Sequence, residues 1–167
     1  MFILNGLKYC LIWEMLVLKQ EDLMDQADKI IKNLNLMPHP EGGFFSQTYL
    51  DDEDFKLERK IASVIYFLLK YDQYSHWHKV DATEYWFWHA GSPLSLTVSP
   101  DGHDASSVQL GPNVLIGQKP HFVVKKNWWQ TAVSMGEWSL VSCVVTPAFT
   151  FDGFELAEEH WRPIPRK

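Results

Sequence analysis

Apolar and polar positions follow two different periods along this chain, and the change between them divides it. From Gln20 to Leu34, the residues Leu23, Met24, Ala27, Ile30, Ile31 and Leu34 recur at helical spacing, with charged residues between them. The spacing predicts an amphipathic helix, with Glu21 and Asp22 in the first turn where the helix dipole favours acids. Pro38-His39-Pro40-Glu41-Gly42-Gly43 then breaks both regular states and predicts a turn. After it, short runs rich in β-branched and aromatic residues predict strands at Phe44 to Tyr49, Ala62 to Leu69, Glu84 to His89 and Leu94 to Val98. Further strands are expected around Val108 to Leu110, Phe122 to Val124, Trp129 to Val133 and Leu140 to Val145. Gly91-Ser92-Pro93, Pro100-Asp101-Gly102 and Gly111-Pro112-Asn113 supply turns, and Asp51 to Glu58 reads as a charged loop. Strands at this spacing point to an all-β sandwich or barrel.

Composition narrows this reading. The chain has 167 residues, a one-domain length, and 46% apolar content is enough to bury a core. Eight Trp and ten Phe suit an aromatic-lined barrel interior. A net charge of -6 disfavours phosphate backbones and anionic lipid, so neither nucleic acid nor a membrane is expected as a partner. Met1 to Leu18 is apolar in places, but Asn5-Gly6, Lys8 and Glu14 interrupt it, so it reads as an extension that packs on the domain or a partner. Residues 1–19 are taken as this extension and 20–167 as one domain. The two cysteines, Cys10 and Cys143, make no disulfide framework, and a cytoplasmic location follows as the expectation.

The candidate chemistry lies in His76-Trp77-His78 and Glu84. On an extended segment, residues two apart share a side, so both imidazoles are expected to face one pocket. Two histidines and a carboxylate with open positions form a set for iron, manganese, nickel or zinc. Without metal, His78 and Glu84 form a catalytic acid–base pair. Alternation also places Glu84, Trp86 and Trp88 on one side of their strand, with the two rings walling the pocket. Trp129 is a further candidate for the wall. Arg59 is expected to pair with the 51–58 loop, and Cys143, in an apolar strand, to be inert packing.

His76-x-His78, five residues, Glu84, six residues, Gly91 resembles the first motif of the cupin superfamily, with one residue more before the glutamate. Gln130 falls where the second motif places its fourth ligand. His39-Pro40-Glu41-Gly42-Gly43, Ile65 to Leu69, Trp77-His78-Lys79-Val80, Gly136-x-Trp138 to Cys143 and Pro147 to Ala157 are similar to the cupin-5 family, formerly DUF985. Several positions depart from that family's pattern, among them Ser46, Phe87, Lys125 and Ala148. The resemblance implies a jelly-roll β-barrel with a cleft inside, paired as a homodimer. It brings His39 and Glu41 to the pocket mouth and makes His76, His78, Glu84 and Gln130 the candidate metal ligands. It leaves the reaction open: an enzyme or binding protein for a sugar or sugar-nucleotide-like molecule, with or without a metal, or a non-catalytic homodimeric barrel.

Overall fold

The computed structural model describes residues 26–51 and 59–166. The predicted extension and the start of the predicted helix lie outside the described residues. Residues 26–33 are helical, with Ala27 buried and Asp28 ion-paired to Lys70, which ties the helix to the sheet. No helix among the described residues is long and apolar enough to cross a membrane.

Two antiparallel sheets face each other. The first holds six strands: β1 (Met37–Pro38), β2 (Phe44–Leu50), β3 (Ser63–Lys70), β5 (Thr83–Gly91), β8 (His121–Val124) and β10 (Trp138–Thr146), in the order β1-β2-β3-β10-β5-β8. The second holds β4 (Tyr74–Val80), β6 (Leu94–Ser99), β7 (Ser106–Leu110), β9 (Trp129–Ser134) and β11 (Phe154–Leu156), in the order β11-β4-β9-β6-β7. This is the jelly-roll barrel expected from the strand pattern and the motifs. Three strands lie outside the predicted runs: β1, whose Pro38 was expected in a turn, β4, whose His76 to His78 was read only as extended, and β11. The last pairs with the outer edge of β4 from Phe154↔Val80 to Leu156↔His78, covering a backbone edge that would otherwise be unpaired.

Period-two alternation sends Phe67 and Leu69 of β3, Trp86 of β5, and Val141 and Cys143 of β10 inward, where they meet Leu94, Leu96 and Val98 of β6 and Ala132 of β9. These buried side chains form the filled core of the barrel. A smaller apolar group, Val80, Ala82 and Val145 with Phe149 and Phe154, lies apart from them. Burying each Leu or Phe of this kind contributes roughly 1.5–3 kcal/mol, so the filled core stabilises a barrel that can also carry polar groups.

Arg59 reaches Asp81, with its Nη1 donating to both carboxylate oxygens at 2.8 and 2.9 Å, and its Nε donates to the Ala148 carbonyl at 2.5 Å. Asp81 is a strand-end acid, and residues 52–58 of the loop expected to pair with Arg59 lie outside the described residues. Cation and anion meet here across two connections, and a rim of the barrel is tied down.

The turn after β5 depends on Gly91. Its φ is +85°, and a Cβ there would sit 2.4 Å from the Trp138 carbonyl oxygen. Ser92 N–H donates to that same carbonyl at 2.7 Å, so the oxygen cannot easily move away. Gly91→Ala is therefore expected to destabilise the fold by about 1–3 kcal/mol from left-handed strain alone, and by more once the clash is added. Urea denaturation reads this, and an unchanged midpoint would contradict the close approach.

Candidate functional site

At the edge of the filled core, sharing Phe67 and Cys143 with it, lies a cavity of about 120 Å³. Its walls are Phe45, Ile65, Phe149 and Phe154, and Phe151, 66% exposed, stands at the mouth. Its polar side presents His39, Glu41, His78, Glu84 and Cys143. Each comes from a different place in the chain, and local geometry aims each one inward.

The His39 to Gly43 turn delivers Glu41. It is closed by His39 N–H to the Gly43 carbonyl and Gly42 N–H to the His39 carbonyl, both 3.0 Å. Gly42 and Gly43 have φ of +106° and +72°, and a Cβ on Gly42 would lie 2.3 Å from the Tyr74 carbonyl oxygen. Only glycine lets the turn press this close to β4. The Glu41 carbonyl accepts from His76 N–H at 2.7 Å, which pins the turn to β4. The Glu41 side chain is buried; Ser75 Oγ donates to its Oε1 at 2.9 Å, and its Oε2 lies 3.3 Å from His78 Nε2 and 3.5 Å from His39 Nδ1.

A β-bulge places His78. Ser75 pairs with Ala132 and His78 with Gln130, so β4 carries one residue more than β9 between these points. The extra residue reverses the alternation. Ser75 and His78 both face inward, and His76 turns out, its Nε2 meeting the Ala157 and Glu158 carbonyls at 3.0 and 3.2 Å. The expectation that His76 and His78 share a pocket is thus corrected. Alternation holds only in an unbulged strand.

Hydrogen bonding also fixes the His78 tautomer. Its Nδ1 lies 2.7 Å from the His76 carbonyl oxygen, which can only accept, so Nδ1 carries the proton. The Nε2 lone pair then faces Glu41 Oε2. Two acceptors cannot rest at 3.3 Å without a proton between them. Burial supplies the answer. It pushes the Glu41 carboxyl up to about 7, with His39 and the Ser75 hydrogen bond pulling the other way. It pushes His78 down, with Glu84 opposing. Below about pH 7 the shared proton therefore rests on Glu41 and points at His78. Burial lowers His39 as well, and the Glu41 N–H donates to its Nδ1 at 3.3 Å, which suits a neutral ring.

Glu84 is held by a second chain of bonds. Trp86 Nε1 can only donate, and it gives its proton to Gln130 Oε1 at 3.0 Å. The Gln130 amide nitrogen must then point at Glu84, and it donates to Oε2 at 2.5 Å. Gln130 thus orients Glu84, and its oxygen is already engaged. Burial raises the Glu84 carboxyl; His78 opposes the shift and the nearby Glu41 adds to it. Cys143, expected as inert packing, turns its side chain to the same cavity beside Glu84, and burial holds its thiol protonated. Its place follows from the inward alternation of Val141, Cys143 and Val145.

The remaining candidates lie elsewhere. Trp86 is buried beneath the cavity, edge-on to Phe67 with centroids 5.8 Å apart. Trp88 donates to the Ser92 carbonyl at 3.0 Å and packs on the core. Trp129 is on the outer side of β9, against Trp161 at 4.2 Å and under the Lys79 ammonium at 4.6 Å. The cavity's aromatic walls come instead from Phe45 and the Phe149 to Phe154 segment. That segment's family block was visible in the sequence, but its side-chain direction was not. The four proposed metal ligands do not converge: His76 faces out, and Gln130 is committed to Trp86 and Glu84. Among the described residues, no group of three or more His, Cys, Asp or Glu side chains is arranged to hold a metal ion. The residues present do not fit that bound metal.

Glu41 makes stability depend on pH. Its folded value, about 7, lies above its ordinary 4.5, so the folded state binds the proton more tightly. That contribution is complete below pH 4.5 and is lost as pH rises through about 7. Glu41→Gln removes the buried charge, so its stability relative to the wild type is expected to rise between pH 5 and pH 8 by up to about 3 kcal/mol. Urea titrations at the two pH values measure the difference, and a constant gap would overturn the assignment of the proton to Glu41.

The family described as Cupin superfamily (DUF985) matches residues 28–157. A crystal structure of a Shewanella oneidensis protein is 38% identical, covers 78% of this chain and 84% of its own, and superposes with a TM-score of 0.75. A hypothetical protein from Leishmania major is 30% identical over 80% of this chain and 88% of its own, with a TM-score of 0.72. The oxalate decarboxylase of Lactobacillus farciminis, solved as a formate complex, shares the fold at 12% identity and a TM-score of 0.53, over 75% of this chain and 34% of its own. No curated protein matches this chain. The chain belongs to the cupin superfamily, in the family described as DUF985.

Proposed function

We propose that the barrel cavity binds a small molecule and moves a proton on it, with His78, Glu41 and Glu84 as the acid–base groups. The observation that carries this reading is the committed Nδ1–H of His78. It leaves the Nε2 lone pair against the Glu41 carboxyl at 3.3 Å. Burial raises the Glu41 carboxyl to about 7 and lowers His78, so Glu41 holds the proton that His78 Nε2 faces. Glu84, held by Gln130, provides a separate carboxyl in the same cavity. Two independently held acid–base groups suit abstraction of a proton beside a carbonyl and its return, the chemistry of an isomerase or epimerase. A small sugar-like ring or a planar carbonyl compound suits the aromatic walls.

Solvent deuterium exchange into a panel of keto-sugars and small ketones, followed by NMR, tests this. Exchange is expected with the wild type and is expected to fall by about 10²–10⁴-fold in His78→Gln and Glu84→Gln. Binding without exchange across the panel would leave a non-catalytic ligand-binding barrel. Stoichiometric uptake of iron, manganese, nickel or zinc, lost in His78→Ala, would replace proton transfer with metal chemistry.

The outer face of the six-stranded sheet supports a homodimer. Phe87, 36% exposed, stacks on His121 at 5.6 Å, and Tyr66 meets His89 edge-on at 6.3 Å. Such an aromatic face suits a second copy. Sedimentation is expected to show a dimer that Phe87→Lys dissociates; a monomeric wild type would rule this out.

A further inference from the structure

The charges around the cavity restrict what can enter it. The two acids among its described lining residues are Glu41 and Glu84, and no lysine or arginine lines it among the described residues. The nearby Arg59 is outside the lining and is ion-paired through Nη1 to Asp81, its buried Nη2 having no hydrogen-bond partner among the described residues. Both imidazoles are held neutral by burial. An anion brought into this space would lose its hydration and meet one or two carboxyl groups, with no fixed cation among the described lining residues to compensate. A hydroxyl or an ammonium meets the opposite situation. Glu84 spends one acceptor site on Gln130 and keeps others for a donor. An ammonium would also lie among the aromatic faces of Phe149 and Phe154.

Size and wall chemistry add a second restriction. An apolar cavity of about 150 Å³ is large enough for benzene, so about 120 Å³ limits the ligand to a single ring whose outer end reaches the mouth. Phe149 meets Phe151 edge-on at 5.2 Å and Phe154 at 5.7 Å, so three rings form one side from depth to surface. Phe151 stays 66% exposed at the mouth, where it can cover the end of a ligand that reaches solvent.

We infer that the cavity takes a ring-sized molecule whose inner head is an uncharged or cationic hydrogen-bond donor, an alcohol or an amine, and that it rejects a carboxylate or phosphate head of equal size. The inference rests on the reading of this cavity as a ligand site, and it narrows that reading. A sugar nucleotide could place only its sugar ring inside, with every phosphate left beyond the mouth.

Benzyl alcohol, benzylamine and benzoate share one ring and differ in the head, so they separate charge from size. Titrated into the full-length wild-type protein at pH 7.5 and followed by ligand-observed NMR and calorimetry, the alcohol and the amine are expected to saturate. Benzoate is expected to bind at least tenfold more weakly. Phe151→Ala changes an exposed ring at the mouth, and the intact near-ultraviolet signal of the tryptophans would show that the variant is folded. It is expected to weaken the alcohol and the amine together, placing them in this cavity. Benzoate binding as tightly as the alcohol would overturn the head-group selection while the cavity remained a ligand site. No saturable binding by any probe, or binding untouched in folded Phe151→Ala, would overturn the cavity reading and this inference with it.

Discussion

Glu41, His78 and Glu84 are buried, and His39 half-buried, in a cavity that borders a core packed with hydrocarbon. Taking such groups out of water costs several kcal/mol for each charge left uncompensated. The protein meets this constraint by removing charge as well as by pairing it. Both carboxyls move up and both imidazoles move down, so the cavity tends toward neutrality at the pH where each group would ordinarily be charged or half-charged. The hydrogen bonds around them are those a neutral set requires. Ser75 donates to Glu41, the His76 carbonyl takes the His78 proton, and Gln130 donates to Glu84.

That arrangement depends on supports outside the cavity lining. Leu94, Leu96 and Leu110 bring no polar atom to the interior, and their burial stabilises a barrel that carries a polar cavity. Trp86 serves both core and cavity. Its ring is core, and its indole N–H sets the direction of the Gln130 amide and so the place of Glu84. A residue read first as cavity wall thus acts from beneath the cavity, through another side chain. The glycines of the Glu41 turn act similarly, since their open φ lets the backbone close on β4 and push the carboxyl inward.

Much of the architecture was legible because its signals are local. Ser63 to Lys70 and Trp138 to Thr146 are dense in β-branched and aromatic residues, and strands of that kind are recognisable without neighbours. The turn at His39 to Gly43 was visible from its prolines and glycines, and Glu84 and His78 from their spacing. What was not legible depends on register. The His76-x-His78 spacing predicts two imidazoles on one side, and one extra residue in β4 opposite β9 undoes it. The longer gap before Glu84 was a trace of departure from the usual motif, but it did not say on which side each histidine would fall. Phe154 to Leu156 has too few residues to announce a strand, and it becomes one only because β4 offers it an edge.

From sequence alone, this protein was a β-barrel of the cupin kind, with a candidate site around His78 and Glu84 and with Glu41 nearby. Motif spacing and residue type are properties of the chain itself, and they survive without coordinates. Which imidazole enters, which nitrogen bears the proton and which rings wall the cavity were decided by the tertiary structure. A bulge is a mismatch between two strands, a tautomer is set by a carbonyl brought to 2.7 Å, and a wall is whatever a distant segment lays over the opening. None of these is a property of one segment, so only the folded chain contains them.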